Sequence, residues 1–185
     1  MKAKVLTPAE LDQALAGLSL DDRALLLVSH KAALRSCELA ALDWSMLTTA
    51  SGELSDSIDL PAIASKGRTG AGRLPLSSET LRSTLLSLWI ERHCPRSGAV
   101  FGKPGHGTVN AEALARRIGR IYDRAGLKGA TSHSGRRTAL TTLIRSGMNL
   151  ADAKKFARHA DEKTTLRYCD ASDSDIICAA VGALG

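Results

Sequence analysis

Apolar residues recur at helical spacing along most of this 185-residue chain, and one stretch, residues 57–76, breaks the pattern. Repeats of three and four residues place apolar side chains on one face of a helix, so a mainly helical chain is predicted. The clearest stripes lie in helices predicted at 78–94 and about 109–125, and they consist of Leu81, Leu85, Leu88, Trp89, Leu114, Ile118 and Ile121. Other helices are predicted to begin at Pro8, near Asp21 or Asp22, at Ser36, in HSGRRT and after Asn149.

The stretch that breaks the pattern reads SIDLPAIASKGRTGAGRLPL and predicts a β-hairpin. Gly67, Gly70 and Gly72 in its basic tip permit tight turns. Pro61 and Pro75 favour edge strands, because proline cannot donate to a sheet. A short strand is also expected within RSGAVFGKPGHGT. The expected fold class is therefore mainly α (α+β), a helical bundle with one small antiparallel β-sheet, in a single domain over residues 1–185.

Charge and cysteine usage narrow the classes of partner. Lysine and arginine exceed aspartate and glutamate by 25 − 19 = 6, and the isoelectric point is about 9.4. This surplus favours nucleic acid over a membrane, although charge alone fits an ordinary basic protein equally well. The four cysteines show no metal-ligand spacing, so no metal site is expected and a reducing cytoplasm is predicted. No signal peptide opens the chain, and no apolar run reaches the roughly 20 residues that cross a bilayer.

Two basic clusters lie in the first half of the chain, one in LRSCEL and one at the tip of the predicted hairpin. In LRSCEL, Arg35 lies at a break between two apolar helical runs, and Glu38, one turn later, is placed to pair with its guanidinium. The alternative is an arginine whose head lies in solvent. At the hairpin tip, Lys66, Arg68 and Arg73 form either a solvated basic turn or a loop that carries a lysine to a phosphate or a leaving group.

A third cluster, HSGRRT, stands at a predicted helix start. His133 and Arg136 are three residues apart and share a face of that helix, where backbone N–H groups and the positive end of the helix dipole favour a phosphate. A surface histidine beside ordinary charges is the alternative. Arg137 points elsewhere and is expected either to support the core or to contact a DNA backbone.

The stretch RHADEKTTLRY contains one of only two tyrosines, Tyr168, nine residues after His159. A phenol has a pKa near 10, so it attacks a phosphate at neutral pH only where cations surround it. Phosphoryl transfer requires positive charge on the non-bridging oxygens, an in-line attacker and a proton source for the leaving oxygen. The basic clusters offer the charges and protons, and Tyr168 offers the attacker. Tyr122 lies on an apolar helix stripe and is expected to pack there with a wet hydroxyl.

These motifs, in this order, resemble the tyrosine recombinases, or phage-type integrases. That family carries an arginine in an R-x-x-E-L setting, a hairpin lysine, H-x-x-R, a histidine or tryptophan, and a tyrosine nine residues later. The matching segments are RSCEL, SKGRTGAGRLPL, HSGRR and RHADEKTTLRY, and the resemblance as a whole covers the chain from about Leu11 to Tyr168. The resemblance implies the fold of the tyrosine recombinase catalytic domain, as in DNA breaking-rejoining enzymes, and a bacterial, phage or mobile-element origin.

The resemblance also implies a mechanism of site-specific DNA integration, excision or inversion. Tyr168 would attack a scissile phosphate and form a 3′-phosphotyrosyl link. Arg35 and Arg136 would clamp the non-bridging oxygens, His133 would handle the proton of the nucleophile, and Lys66 would protonate the leaving oxygen. Neither metal nor ATP nor another cofactor is implied.

The remaining implied roles are supporting ones. His159 would add a hydrogen bond to the phosphate, and Glu38 would orient the first arginine. Arg68, Arg73 and Arg137 are the implied contacts to double-stranded DNA. Four protomers would assemble on DNA, with the tail 171–185 either docked on a neighbour or folded back on its own core.

Three departures from the family pattern stand out. The residue before His159 is commonly glycine but here is Arg158, and the residue before Arg136 is commonly leucine but here is Gly135. Both put the local packing in question more than the chemistry. In addition, 34 residues precede Arg35, which is too few for the separate DNA-clamping domain of typical members, so either a catalytic-domain-only recombinase or an excised fragment is expected.

Two rival functions remain compatible with the sequence. A non-catalytic DNA-binding regulator derived from an integrase would keep the basic surface but lose active-site groups, and none of the expected groups is missing here. A type IB topoisomerase would use a similar set of residues, but those enzymes usually carry additional domains that embrace DNA.

Overall fold

A computed structural model of the chain describes residues 2–64, 71–102, 109–159 and 162–166. The helices within these ranges are α1 (Pro8–Leu15), α2 (Leu20–Lys31), α3 (Ser36–Ala40), α4 (Glu79–Glu91), α5 (Ala111–Arg124), α6 (Ser134–Arg145), α7 (Leu150–Ala157) and α8 (Glu162–Leu166). Two strands, β1 (Ser57–Leu60) and β2 (Gly72–Pro75), and two 3₁₀ turns, Trp44–Met46 and Ala62–Ala64, complete the elements. The predicted fold class, mainly helical with one small antiparallel sheet, is confirmed.

Local capping signals determine where several helices begin. Thr7 and Glu10 form the capping box of α1, and the Asn149 side chain accepts from the backbone N–H of Asp152 at the start of α7. The predicted cap of α2 at Asp21 or Asp22 is wrong, because the hydroxyl of Ser19 accepts from the backbone N–H of Asp22 at 3.3 Å. A serine two residues upstream supplies the same acceptor, and the two aspartates instead occupy the first turn, where the helix dipole favours negative charge.

The hairpin forms as predicted, with β1 and β2 antiparallel and Ser57 opposite Pro75. Ile58, Leu60 and Leu74 are buried on its inner face. The hairpin tip, residues 65–70, lies outside the described residues. The short strand expected in 96–108 is absent from the part of that segment that the structure describes, where Ala99 forms only an isolated bridge to Asp43. One bridge with a distant loop satisfies this backbone without a second sheet.

Helix α2 lies at the centre of the core and packs against α4 and α6. All residues from Ala24 to His30 in α2 are buried, including the polar Ser29 and His30. The predicted stripes of α4 and α5 face this core, although Trp89 is only partly buried. None of the helices in the described ranges has the length and apolar character needed to cross a bilayer.

Tyr122 differs from the sequence prediction. Its side chain is fully buried in α5, and its hydroxyl lies 2.7 Å from Nε2 of His30. The predicted exposure of this hydroxyl to solvent is therefore wrong, because a histidine of α2 is its hydrogen-bond partner instead of water. Burial raises the pKa of Tyr122 above its ordinary value.

Candidate active site

Three arginine side chains converge on one buried carboxylate, that of Glu38. Nη1 of Arg35 donates to Oε1 at 2.9 Å. Arg158 donates to both oxygens, from Nε to Oε1 at 3.2 Å and from Nη2 to Oε2 at 2.8 Å. Nη1 of Arg136 lies 3.9 Å from Oε2. The two arginines expected to clamp a phosphate therefore share one pocket, although they are 101 positions apart in the sequence (136 − 35).

The R-x-x-E spacing explains the first of these contacts. Arg35 precedes α3 as its N-cap residue, and Glu38 occupies the third helical position. The carboxylate of Glu38 turns back and accepts from the backbone N–H of Arg35 at 2.8 Å, as in a capping box. The same carboxylate thus holds both the backbone and the guanidinium of Arg35.

Arg136, in the first turn of α6, is held by backbone carbonyls from two other segments of the chain. Its side chain is 3% exposed. Nη1 donates to the backbone carbonyl of Ala33, at 2.5 Å, and Nη2 donates to the carbonyl of Ala157 at the end of α7. These contacts fix the guanidinium between the α2–α3 connection and α7.

His159 follows Arg158, the residue that caps the end of α7, and is 7% exposed. Its Nδ1 lies 2.9 Å from Oγ1 of Thr165, a buried residue of α8. Burial, followed by the charges of Arg136, Arg35 and Arg158, lowers the pKa of His159 to about 4. The imidazole is therefore neutral at pH near 7, a state in which it donates one hydrogen bond and accepts another.

The charge of Glu38 depends on its arginine partners. Burial by itself would raise the pKa of this carboxyl, but the hydrogen bond and charge of Arg158, the backbone N–H of Arg35 and the charge of Arg136 outweigh burial and lower it. Glu38 is consequently ionised at neutral pH.

His133 occupies a different environment from Arg136. It is the N-cap residue of α6 and is exposed, and its backbone N–H donates to Oγ1 of Thr131 at 3.2 Å. The two residues lie one helical turn apart, as predicted, but one faces solvent while the other is buried.

The predicted DNA contacts also differ in exposure. The side chain of Arg73 is 74% exposed, and its Nε donates to the hydroxyl of Ser57 across the hairpin at 2.8 Å. Arg137 is buried within α6, the position expected if it supports the core rather than contacts DNA. Lys66, Arg68 and Tyr168 lie outside the described residues. No group of three or more metal-ligating side chains occurs among the residues with described positions.

Comparison with known proteins identifies the family. The sequence profile of the phage integrase family matches residues 4–175, which is most of the chain. The chain belongs to the phage integrase family. The resemblance to tyrosine recombinases inferred from the motifs is thus confirmed. A search of curated protein sequences found no match.

Solved structures share the integrase fold. XerA recombinase matches with a TM-score of 0.78 at 19% identity, over 97% of this chain and 63% of that chain. XerH bound to palindromic difH substrate matches with a TM-score of 0.73 at 21% identity, over 97% and 53%. The Tn1549 transposon integrase in complex with transposon right end DNA matches with a TM-score of 0.70 at 19% identity, over 100% and 67%. This integrase-family chain therefore spans about half to two thirds of the length of these relatives.

Two residues of this pocket have no role assigned from the sequence. Thr165 belongs to the threonine pair that carries the family resemblance, and its spacing of six from His159 places it within hydrogen-bonding reach once α8 folds back. The sequence marks Arg158 only as a departure from the glycine common in the family. Its contact with Glu38 joins residues 120 positions apart, so no local sequence pattern predicts that contact.

Proposed function

We propose that this chain is the catalytic part of a site-specific DNA recombinase, which cleaves and rejoins DNA through a 3′-phosphotyrosyl intermediate. The observation that carries the proposal is the convergence of Arg35 and Arg136 beside Glu38, next to the neutral imidazole of His159. Two guanidinium groups held in one pocket suit the non-bridging oxygens of a phosphodiester, which gather charge in the transition state.

The reaction exchanges one phosphodiester for another. The phenolic oxygen of Tyr168 bonds to phosphorus as the bond to the 5′-oxygen breaks. His133 takes the proton of the phenol, Lys66 supplies a proton to the leaving 5′-oxygen, and His159 donates a hydrogen bond to the phosphate. Arg35 and Arg136 bind the non-bridging oxygens throughout. The covalent link conserves the energy of the phosphodiester, so rejoining is the same step in reverse and consumes no ATP.

Double-stranded DNA is the proposed partner. Structural relatives were solved with DNA: XerH with difH, the Tn1549 integrase with a transposon end, and a lambda integrase dimer with a COC′ core site. The net charge of +6 supports binding to the phosphate backbone. We further propose that residues 1–185 act as one catalytic domain, that four protomers assemble on paired sites, with tail 171–185 available for exchange between them, and that no metal or cofactor takes part.

The two tyrosines of the chain give a matched test of the nucleophile. The protein is incubated with a random-sequence pool of duplexes that contain 5′-bridging phosphorothiolate linkages, whose thiol product does not religate. Wild type and Tyr122→Phe are expected to form covalent protein–DNA complexes, because Tyr122 is fully buried against His30. Tyr168→Phe is expected to form none.

The products of this assay also separate the rival functions. Sequencing of the trapped ends should reveal a defined site. Trapping by Tyr168→Phe would show that another group is the nucleophile. Covalent complexes without site preference, together with relaxation of plasmids, would assign the chain to topoisomerase-like enzymes. DNA binding without any covalent product would instead indicate a regulator.

A further inference from the structure

The pocket around Glu38 contains one arginine more than the proposed reaction uses. Arg158 stands where the family commonly has glycine, and its side chain is 2% exposed. It donates to both oxygens of Glu38, from Nη1 to the carbonyl of Phe156 at 2.8 Å, and from Nη2 to the carbonyl of Ala33 at 3.5 Å. A guanidinium has five N–H groups, and the protein itself engages most of those of Arg158.

This engagement distinguishes Arg158 from Arg35. The side chain of Arg35 is 22% exposed and donates to Glu38 from Nη1, to one carboxylate oxygen rather than to both. Nη2 of Arg35 donates instead to the backbone carbonyl of Arg158 at 3.4 Å. Arg158 therefore touches Arg35 both directly, through this carbonyl, and indirectly, through Glu38, while its own guanidinium faces inward.

The backbone at Arg158 supports a specific role for its side chain. The residue ends α7 in the left-handed conformation, with φ 53° and ψ 46°, which glycine adopts more readily than arginine. Its side chain also packs beneath the hairpin, since a Cβ placed on Gly72 would lie 3.5 Å from Cδ of Arg158. Arg158 therefore combines a backbone conformation that favours glycine with a buried guanidinium held by several acceptors.

We propose that Arg158 is a positioning residue that occupies the Glu38 carboxylate and thereby leaves Arg35 and Arg136 directed toward the scissile phosphate. The distances indicate how this works: Oε2 of Glu38 is 2.8 Å from Nη2 of Arg158 but 3.9 Å from Nη1 of Arg136. Without Arg158, the buried carboxylate draws the Arg136 guanidinium from 3.9 Å into direct contact and away from its backbone carbonyl partners, because a charge of opposite sign in a water-poor pocket attracts strongly. The substrate named in this proposal rests on the proposed function, whereas the arrangement of Arg158, Glu38 and Arg136 does not.

The experiment compares Arg158→Gly, which suits the backbone, and Arg158→Gln, which keeps the side-chain stem, with the exposed control Arg145→Gln. Covalent complex formation is timed at saturating concentration of the duplex recovered with the wild type, and DNA affinity is measured separately. We expect both Arg158 variants to lose about tenfold or more in rate while the DNA Kd changes by less than about threefold. Arg145→Gln should leave both unchanged. Thermal unfolding confirms that each variant is folded at the assay temperature.

A second substitution separates positioning from mere structural support. In the Arg158→Gly background, Glu38→Gln removes the carboxylate that captures Arg136, so the double variant should cleave faster than Arg158→Gly, although Glu38→Gln slows the wild type. If the double variant is slower still, or if Arg158→Gly cleaves like the wild type, the proposal is overturned.

Binding of inorganic phosphate provides the arm that does not depend on DNA cleavage. Phosphorus NMR titration should show weaker phosphate binding to Arg158→Gly than to wild type, with recovery in the double variant. If the wild type traps no DNA but this pattern holds, the proposed function fails and the positioning role stands. If the wild type traps DNA but phosphate binding is equal in all variants and cleavage is unaffected by Arg158→Gly, the positioning role fails and the proposed function stands.

Discussion

At the scale of single residues, Glu38 explains how three arginines occupy one small pocket. Guanidinium groups repel one another, and a fully buried carboxylate among them offsets part of that repulsion. In return, the arginines keep the carboxylate ionised despite its burial. Each charge is tolerable only because of the others, so the site is expected to respond cooperatively to substitution rather than residue by residue.

Gly135 illustrates how closely this site is packed from below. A Cβ at this position would overlap Oγ of Ser29 and lie 3.0 Å from Cδ2 of His30. Glycine, in place of the leucine common in the family, therefore lets α6 approach α2 closely. The approach places the first turn of α6, and with it Arg136, against the α2–α3 connection.

Gly135→Ala is predicted to destabilise the protein, because α6 must move away from α2 to admit the methyl group. We expect a loss of about 2 kcal/mol in unfolding free energy and a fall of about 4–8 °C in Tm. Gly119→Ala in α5 is the matched control, since a Cβ there meets nothing within 4 Å, and it should raise stability by about 0.5–1 kcal/mol. Thermal denaturation followed by circular dichroism measures both. Equal Tm values for the two variants would refute the packing argument.

At the scale of elements, a hydrogen bond between side chains ties α8 to the site. Thr165 of α8 lies 2.9 Å from Nδ1 of His159, and Thr165 is fully buried. The element thereby fixes the orientation of the imidazole ring. Because α8 ends two residues before Tyr168, the same bond relates the histidine to the segment that leads into the proposed nucleophile.

Thr165→Val removes this hydroxyl while keeping the shape of the side chain. We expect stability to fall by about 1–2 kcal/mol, from the lost bond and the unsatisfied ring nitrogen, and the rate of covalent DNA trapping to fall about tenfold. Thr142→Val, at an exposed position of α6, is the control. Stopped-time trapping assays and urea titrations distinguish the two effects. Unchanged trapping in Thr165→Val would show that the imidazole is oriented by other contacts.

Elements defined by local signals were predictable from the sequence. The capping box of α1 and the asparagine cap of α7 depend on residues three positions apart, and the apolar stripes of α4 and α5 depend on spacings of three and four. The hairpin followed from two strand-like arms around glycines. The cap of α2 was misplaced by two or three positions, since Ser19 and the following aspartates are both good acceptors.

Contacts between distant parts of the chain were harder to foresee. The order of motifs placed Arg35 and Arg136 in one site only through the family resemblance. The bond of Tyr122 to His30 joins residues 92 positions apart, and that of Arg158 to Glu38 joins residues 120 positions apart. Such pairs depend on how α2, α3, α5 and α7 pack, which no window of neighbouring residues encodes.

At the scale of the whole molecule, the pKa values of three buried groups, His30, His159 and Glu38, are all lowered from their ordinary values. Burial lowers the pKa of His30 to about 4, and the pKa of His159 is lowered to about 4 as well. The pKa of Glu38 is also lowered. Each of these groups binds a proton more readily in the unfolded chain than in the folded protein. Protonation of these three groups therefore destabilises the folded protein as the pH falls.

Stability is predicted to fall as the pH decreases from about 7 toward 4. An unfolded histidine takes up its proton near pH 6.5, whereas folded His30 resists protonation until about pH 4, so His30 alone removes about 2 kcal/mol between about pH 7 and pH 5. His159 adds a loss of the same sign, and Glu38 adds another once the pH falls below the ordinary pKa of a carboxyl. Urea denaturation at about pH 7 and about pH 5 measures the total loss of unfolding free energy. His30→Gln, which retains a partner for the Tyr122 hydroxyl but does not titrate, should reduce the difference by about 2 kcal/mol. The same pH dependence in His30→Gln and wild type would mean that the imidazole has the same pKa in the folded and the unfolded protein, and that its burial against Tyr122 does not hinder protonation.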